Sequence, residues 1–377
     1  MKTAVLLVNL GTPEEPTHKG VRNFLRPFLS DRRVVNLPPM LWYPILYCII
    51  LPFRSGRVAR NYQEVWTAAG SPLLVYTRSQ VAGVQRILNA RLEAAKAKRI
   101  ADGKAEDPSD EAVLSADYAG ADVSNRTSEI VVSFAMTYTK PSIKDEIHRL
   151  QSVEKCERVI VIPLYPQYSS TTTGPIINQI GTELYDKDVN VPDLRVVHNY
   201  HKRRDFLVAI ANTIRRHREA HKAKLIAEGK EELANKPRLL VFSYHGIPQQ
   251  VVDDGDPYTA HCHHNSKIVG DILGLAEGEG WLMCYQSRFG KAEWTKPYTD
   301  DLLVTLPTKA GGKHDCVDMV CPAFAVDCLE TLEEIEMCSR GFYTEAGGLD
   351  YTVVPCLNDS EEHCTVLANI AMDEMHF

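Results

Sequence analysis

No run of about 20 consecutive apolar residues occurs in the 377-residue chain, so it lacks a segment that could cross a bilayer as a helix. Glycine-rich phosphate loops of the Walker or dinucleotide type are also missing, which disfavours nucleotide binding. Positive charge is not in excess. With 42 Lys and Arg against 49 Asp and Glu, the formal net charge is -7, and nucleic acid is not expected as a partner. Ten cysteines are too sparse and too irregular for a disulfide scaffold. Met1-Lys2-Thr3 leads straight into an apolar run of about seven residues, shorter than a signal peptide needs, so a reduced, cytoplasmic chain is expected.

What is present is ordinary globular composition, 44% hydrophobic and 24% charged, at a length that suits two domains. Short apolar runs recur, each followed by a turn signal and a helix-period stretch. They are Ala4–Val8, Glu129–Phe134, Val159–Ile162, Leu194–Val197, Leu239–Phe242, Trp281–Cys284, Asp318–Val320 and Tyr351–Val354. Runs without alternation suit strands buried on both faces, hence parallel sheets covered by helices in a two-domain α/β chain. Leu6–Pro13 echoes Val241–Pro248: each is a strand followed by Gly-x-Pro, at the strand end where open α/β sheets bind ligands. Ala101–Asn125 and Lys222–Lys236 look inserted, the first as a surface excursion and the second as a solvated helix extension. Met40–Phe53 is almost wholly apolar and holds Pro44 and Pro52, which should break it. It reads either as a buried hairpin or core helix, or as an exposed apolar lip with Arg54, Arg57 and Arg60 just beyond to meet anionic groups.

Several residues could carry chemistry. His245 stands at a strand's carboxyl edge, before Gly246-Ile247-Pro248, where imidazole can take a proton or ligate a metal. After the strand Asp318–Val320, the carboxylates Asp327, Glu330, Glu333 and Glu334 share helical spacing. The helix macrodipole explains acid near an N-terminus, so Glu333 and Glu334 are read as solvated, while Asp327 and Glu330 stay open. Pro163–Gly174, with Tyr165, Tyr168, Ser169 and a run of hydroxyls, could floor an aromatic ligand or simply cap the next helix. Arg32-Arg33 could clamp a carboxylate. His261-Cys262-His263-His264 lacks a partner pair at finger spacing, and Cys316, Cys321, Cys328 and Cys338 fit no cluster pattern and are read as buried free thiols.

Taken together, Asn9–Pro13, Phe28–Arg33, Gly70–Leu73, Pro163–Ser169, Ser243–Pro248, Gln286–Gly290 and Asp327–Leu332 resemble the ferrochelatases, most closely the Gram-negative bacterial branch. The resemblance implies a chelatase-like fold of two Rossmann-like domains, each a doubly wound parallel four-stranded sheet, with a cleft between them. The expected division is 1–188, with the tail 358–377 packed on it, and 189–357. It implies insertion of ferrous iron into protoporphyrin IX, with coproporphyrin, another tetrapyrrole or a non-catalytic carrier as alternatives. His245 and Glu330 are implied as the catalytic pair that meets the metal. Leu10, Arg32, Arg33, Tyr165, Tyr168 and Ser169 are implied around the porphyrin, and 37–53 as a lip that could touch an inner membrane peripherally. Iron is then a substrate, no cofactor is tightly bound, and a monomer is expected. The tail, ending at Phe377 without a cysteine-rich segment, leads to the expectation of no [2Fe–2S] cluster. Three departures stand out. Cys328 replaces a histidine common in relatives, Thr137 precedes Tyr138 where animal members have arginine, and Leu10 takes the position of a tyrosine found in monoderm-type relatives.

Overall fold

Each of the eight apolar runs becomes a strand in the computed structural model, which describes residues 2–101, 130–184 and 191–375. The first sheet contains β1 (Thr3–Asn9), β2 (Ile130–Met136), β3 (Arg158–Pro163) and β4 (Asp193–Val196), in the order β2-β1-β3-β4. The second contains β5 (Leu239–His245), β6 (Trp281–Gln286), β7 (Cys316–Val320) and β8 (Asp350–Val353), in the order β6-β5-β7-β8. Every pairing is parallel, and both sheets follow the same second-first-third-fourth order. The two echoing segments lie on β1 and β5, the corresponding strands of the two sheets.

The absence of alternation has the expected cause. Ala4, Leu6 and Val8 of β1 pack on one side with Ile143, Ile147, Leu150, Ile176 and Ile180. Val5 and Leu7 pack on the other with Leu88, Leu207, Ile210, Leu367 and Ile370. That second cluster continues to Leu240, Phe242 and Tyr244 of β5, so one apolar body joins the inner faces of both sheets. Leu239 and Val241 face outward to Leu303, Ile335 and Tyr343. Gly270 lets its helix lie on β6, because a Cβ there would stand 2.4 Å from the Trp281 indole nitrogen.

Some expectations need correction. Leu194–Val197, assigned to the second domain by a boundary at 188/189, falls on β4, which pairs with β3. The first sheet therefore extends past that boundary to Val196. Pro44 and Pro52 do not break the apolar run. It is helical over Pro39–Ile45 and Leu51–Val65, with a π-turn at Leu46–Ile50 between them that absorbs the missing N–H donors. Trp42, Leu46 and Leu51 point inward, whereas Met40 is 90% and Phe53 79% exposed, so the run forms an exposed lip. Lys222–Lys236 extends the helix Arg204–Ala227 into solvent, as read, while 102–125 lies outside the described residues. Of the four cysteines read as buried, Cys316, Cys321 and Cys328 are, but Cys338 is exposed.

Candidate active site

β5 delivers His245 to the rim of the second sheet as its last residue. The imidazole Nδ1–H donates to the Gly246 carbonyl at 2.6 Å, which fixes the tautomer and leaves Nε2 as the basic nitrogen. The rings of Trp294 and Phe324 flank it, each with its centroid 6.4 Å away. On β6 the register partner of His245 is Gln286, whose amide donates to the Glu330 carbonyl at 2.9 Å. The strand rim is thereby tied to the first turn of a π-helix, Glu330–Cys338.

Glu334 belongs to this group, which corrects its reading as a solvated residue. Its carboxylate accepts the Ser287 backbone N–H at 2.7 Å and the Ser287 hydroxyl, and it feels the charge of both His245 and Glu330. Burial raises its pKa above the ordinary carboxyl value, and Glu330 adds to the rise, while Ser287 and His245 oppose it. Glu333 is not free either: it accepts from Asn61 of the helix Leu51–Val65 at 2.7 Å. The π-helix widens each turn by about one residue, so positions four apart fall nearly in line and Glu334 stands above Glu330. Ser287, held at a φ of 68°, turns its N–H toward the carboxylate, and only its place in the Gln286–Gly290 motif marks it in the sequence. Asp327 is structural. It is buried, and its carboxylate takes donors from Thr331 and Asn358.

The first half faces Glu330 with phenols. Tyr165, just beyond β3, has its pKa raised by burial, then by the charges of Glu330 and Cys328. Tyr62, from the helix that follows the lip, is raised by the same three causes, against a smaller opposing effect of Thr12. Both hydroxyls keep their protons at neutral pH. Nothing in the motif reading singled out Tyr62, since one aromatic in an amphipathic helix looks like core.

The remaining residues of interest divide. Leu10, in the connection after β1, packs with the apolar cluster under the lip, and Gly11 beside it takes a φ of 107° where a Cβ would stand 2.6 Å from the Thr139 hydroxyl. Tyr138 donates to Asp31 at 2.9 Å and orders the turn that carries the two arginines. Arg33 is pinned to Asn178 at 3.0 Å, and Arg32 is exposed. Tyr168 and Ser169 turn away from Tyr165: Tyr168 stacks on His198 at 3.9 Å, and Ser169 is fully buried, with its hydroxyl donating to Asp256. At the mouth, the Arg54 guanidinium lies 4.5 Å over the Phe289 ring. Among the described residues no three His, Cys, Asp or Glu side chains form a cage for a metal ion. In the tract at 261–264, His261 stacks face to face with His201 at 3.7 Å, which leaves their lone pairs parallel.

The family model described as Ferrochelatase matches residues 2–117 and 112–375. A coproporphyrin III ferrochelatase of Streptococcus mutans is 40% identical over 374 residues, 99% of each chain. Ferrochelatase 1 of Shewanella oneidensis is 40% identical over 370 residues, 98% of this chain and 95% of its own. A ferrochelatase of Aeromonas hydrophila is 38% identical over 374 residues, 99% of each chain.

Proposed function

The chain belongs to the ferrochelatase family, and from that premise we propose that it inserts ferrous iron into protoporphyrin IX to form protohaem. One observation carries the assignment of residues: Glu334 senses both His245 and Glu330, while Gln286 ties the strand of one to the helix of the other.

The free porphyrin holds two pyrrole N–H protons, and a divalent ion must displace both to leave a neutral complex. His245 acts on the ring side. Its Nδ1–H is committed to Gly246, so Nε2 is the nitrogen free to accept a pyrrole proton. Glu330 meets the ion and offsets its charge as hydration water is lost. Glu334, whose pKa burial raises, takes the proton from His245 and passes it to solvent, which frees His245 to accept the second pyrrole proton in the same way. Tyr62 and Tyr165 present neutral hydroxyls to Glu330 without adding charge. Leu10 gives the flat ring an apolar floor, and Arg32 and Arg33 meet its carboxylate tails. Tyr168 and Ser169 shape the loop that carries Tyr165. The exposed lip suits peripheral contact with an inner membrane by a monomeric cytoplasmic protein, and no helix among the described residues is long and apolar enough to cross one.

The second reading is coproporphyrin as substrate, favoured by the 40% identity to the Streptococcus mutans enzyme. Leu10, where monoderm-type relatives have tyrosine, supports protoporphyrin. Anaerobic ferrous iron supplied with each porphyrin in turn should give catalytic haem formation, fastest with protoporphyrin. Faster turnover of coproporphyrin would exchange the two readings, and stoichiometric quenching of porphyrin fluorescence without haem would make the protein a carrier. His245→Ala should lower turnover by about 100-fold or more while porphyrin binding stays within about threefold. Normal turnover in that variant would remove His245 from the mechanism.

A further inference from the structure

We propose that Asp256 and His261 are positioning residues that clamp the loop 164–172 of the first half to the second half, and so set the width of the slot that receives the flat ring. The inference rests on reading the cleft as the porphyrin site.

The loop leaves β3 at Pro163, presents Tyr165 toward Glu330, and then offers three donors in a row that reach acceptors in the other half, although the Ser169 hydroxyl also lies 2.9 Å from the Thr171 hydroxyl within the loop. The Tyr168 N–H donates to His261 Nδ1 at 3.3 Å, the Ser169 hydroxyl to Asp256 Oδ2 at 3.1 Å, and the Ser170 N–H to the same oxygen at 2.6 Å. Left without these acceptors, the Tyr168 and Ser170 N–H groups would lose their partners, so the loop has one favoured seat.

Both acceptors are themselves fixed. The second oxygen of Asp256 accepts the Tyr258 N–H at 3.0 Å, which ties the carboxylate to the start of the helix that follows it, Tyr258–Leu273. His261 lies one turn further on, stacked on His201 at 3.7 Å, and His201 Nδ1 is bonded to Asn199 at 2.8 Å. Accepting at Nδ1 requires a neutral His261 ring with its proton on Nε2. Burial, and after it the charge of Lys202, lower the pKa of His261 and favour that form.

The clamp also connects to the chemistry through the chain. The connection that begins at His245 runs through the short helix Gln249–Asp253 and the turn at Gly255, and ends at Asp256. One segment therefore carries the imidazole at one end and the loop's anchor at the other. A second tether, Gln167 to the Pro322 carbonyl at 3.5 Å, spans the same gap more loosely. Loosening the clamp should weaken the hold on the ring in ground state and transition state alike, which raises KM and leaves kcat in place.

Steady-state insertion by the full chain tests this. Asp256→Ala should raise KM for the porphyrin by about tenfold and His261→Leu by about threefold, with kcat within about twofold of wild type. His261→Asn, whose amide oxygen can stand where Nδ1 stands, should return KM to within about twofold, with a melting midpoint equal to that of the leucine variant. If Asp256→Ala does not fold, Ser169→Ala removes one of its bonds from the opposite side and should raise KM by about threefold. Unchanged KM in these variants, lost kcat at unchanged KM, or no rescue by asparagine would overturn the clamp. A wild-type enzyme that forms no haem would instead overturn the functional reading.

Discussion

His363 has no room to be charged. It is fully buried in the helix Glu361–Met375, donates from Nδ1 to the Asn358 carbonyl at 2.8 Å, and leaves Nε2 without a partner. Burial lowers its pKa from 6.5 to about 4, against a smaller opposing effect of the Asn358 bond. The folded value lies below the unfolded one, so the unfolded chain binds the proton first as pH falls. Stability is complete above about pH 6.5 and drains away as pH falls through about 4, by roughly 3 kcal/mol from this group. Denaturant unfolding at about pH 7.5 and about pH 4 should show the wild type losing roughly 3 kcal/mol more than His363→Leu. Equal losses would contradict the assignment. That His245 closes a strand and Glu330 opens a helix was legible, because a strand end and a helix start are marked by short motifs. Glu334 was not, because the macrodipole is a sufficient reason for acid in a first turn, and no pattern announces that Ser287 will approach it with an N–H.

At the scale of elements, the lip separates composition from orientation. Its apolar character is evident from Met40 to Phe53, but a run without a polar face gives no contrast from which to read which side is buried. Contacts decide it. The Trp42 indole donates to the Leu29 carbonyl at 2.6 Å and anchors one side, so Met40, Leu41, Ile49 and Phe53 are left outside. Two exposed side chains of this size contribute roughly 1.5–3 kcal/mol each when buried in an acyl layer. The double variant Met40→Ser/Phe53→Ser should therefore reduce co-sedimentation with anionic lipid vesicles by about tenfold or more, with an unchanged melting midpoint. Undiminished sedimentation would take the lip out of membrane contact. The π-turn at Leu46–Ile50 and the π-helix at Glu330–Cys338 share an origin outside sequence patterning, since a period of 3.6 is the only one that apolar spacing tests.

Over the whole molecule, the terminal helix acts as a seam. It packs on the long helix Pro72–Ala101, on β3 and on Arg204–Ala227, and the Met375 carbonyl accepts from Arg158 at 3.1 Å. Val366, Leu367, Ile370 and Met375 are buried, and at roughly 1.5–3 kcal/mol each their contribution rivals the 5–15 kcal/mol net stability of an ordinary domain. A chain cut before Glu361 should lose its cooperative thermal transition, whereas a retained transition near the full-length midpoint would show the helix to be dispensable. The two parallel sheets were readable because burial on both faces erases alternation, yet β4 was assigned to the wrong half, because a four-residue edge strand carries no sign of the neighbour it will join. Leu10 and His245 occupy matching places in the two echoing segments. A dimer of identical half-length chains would be compelled by its twofold axis to offer the same group to both sides of a planar guest. Covalent doubling lifts that compulsion, so one copy of the position can stay an aliphatic leucine while its counterpart carries an imidazole.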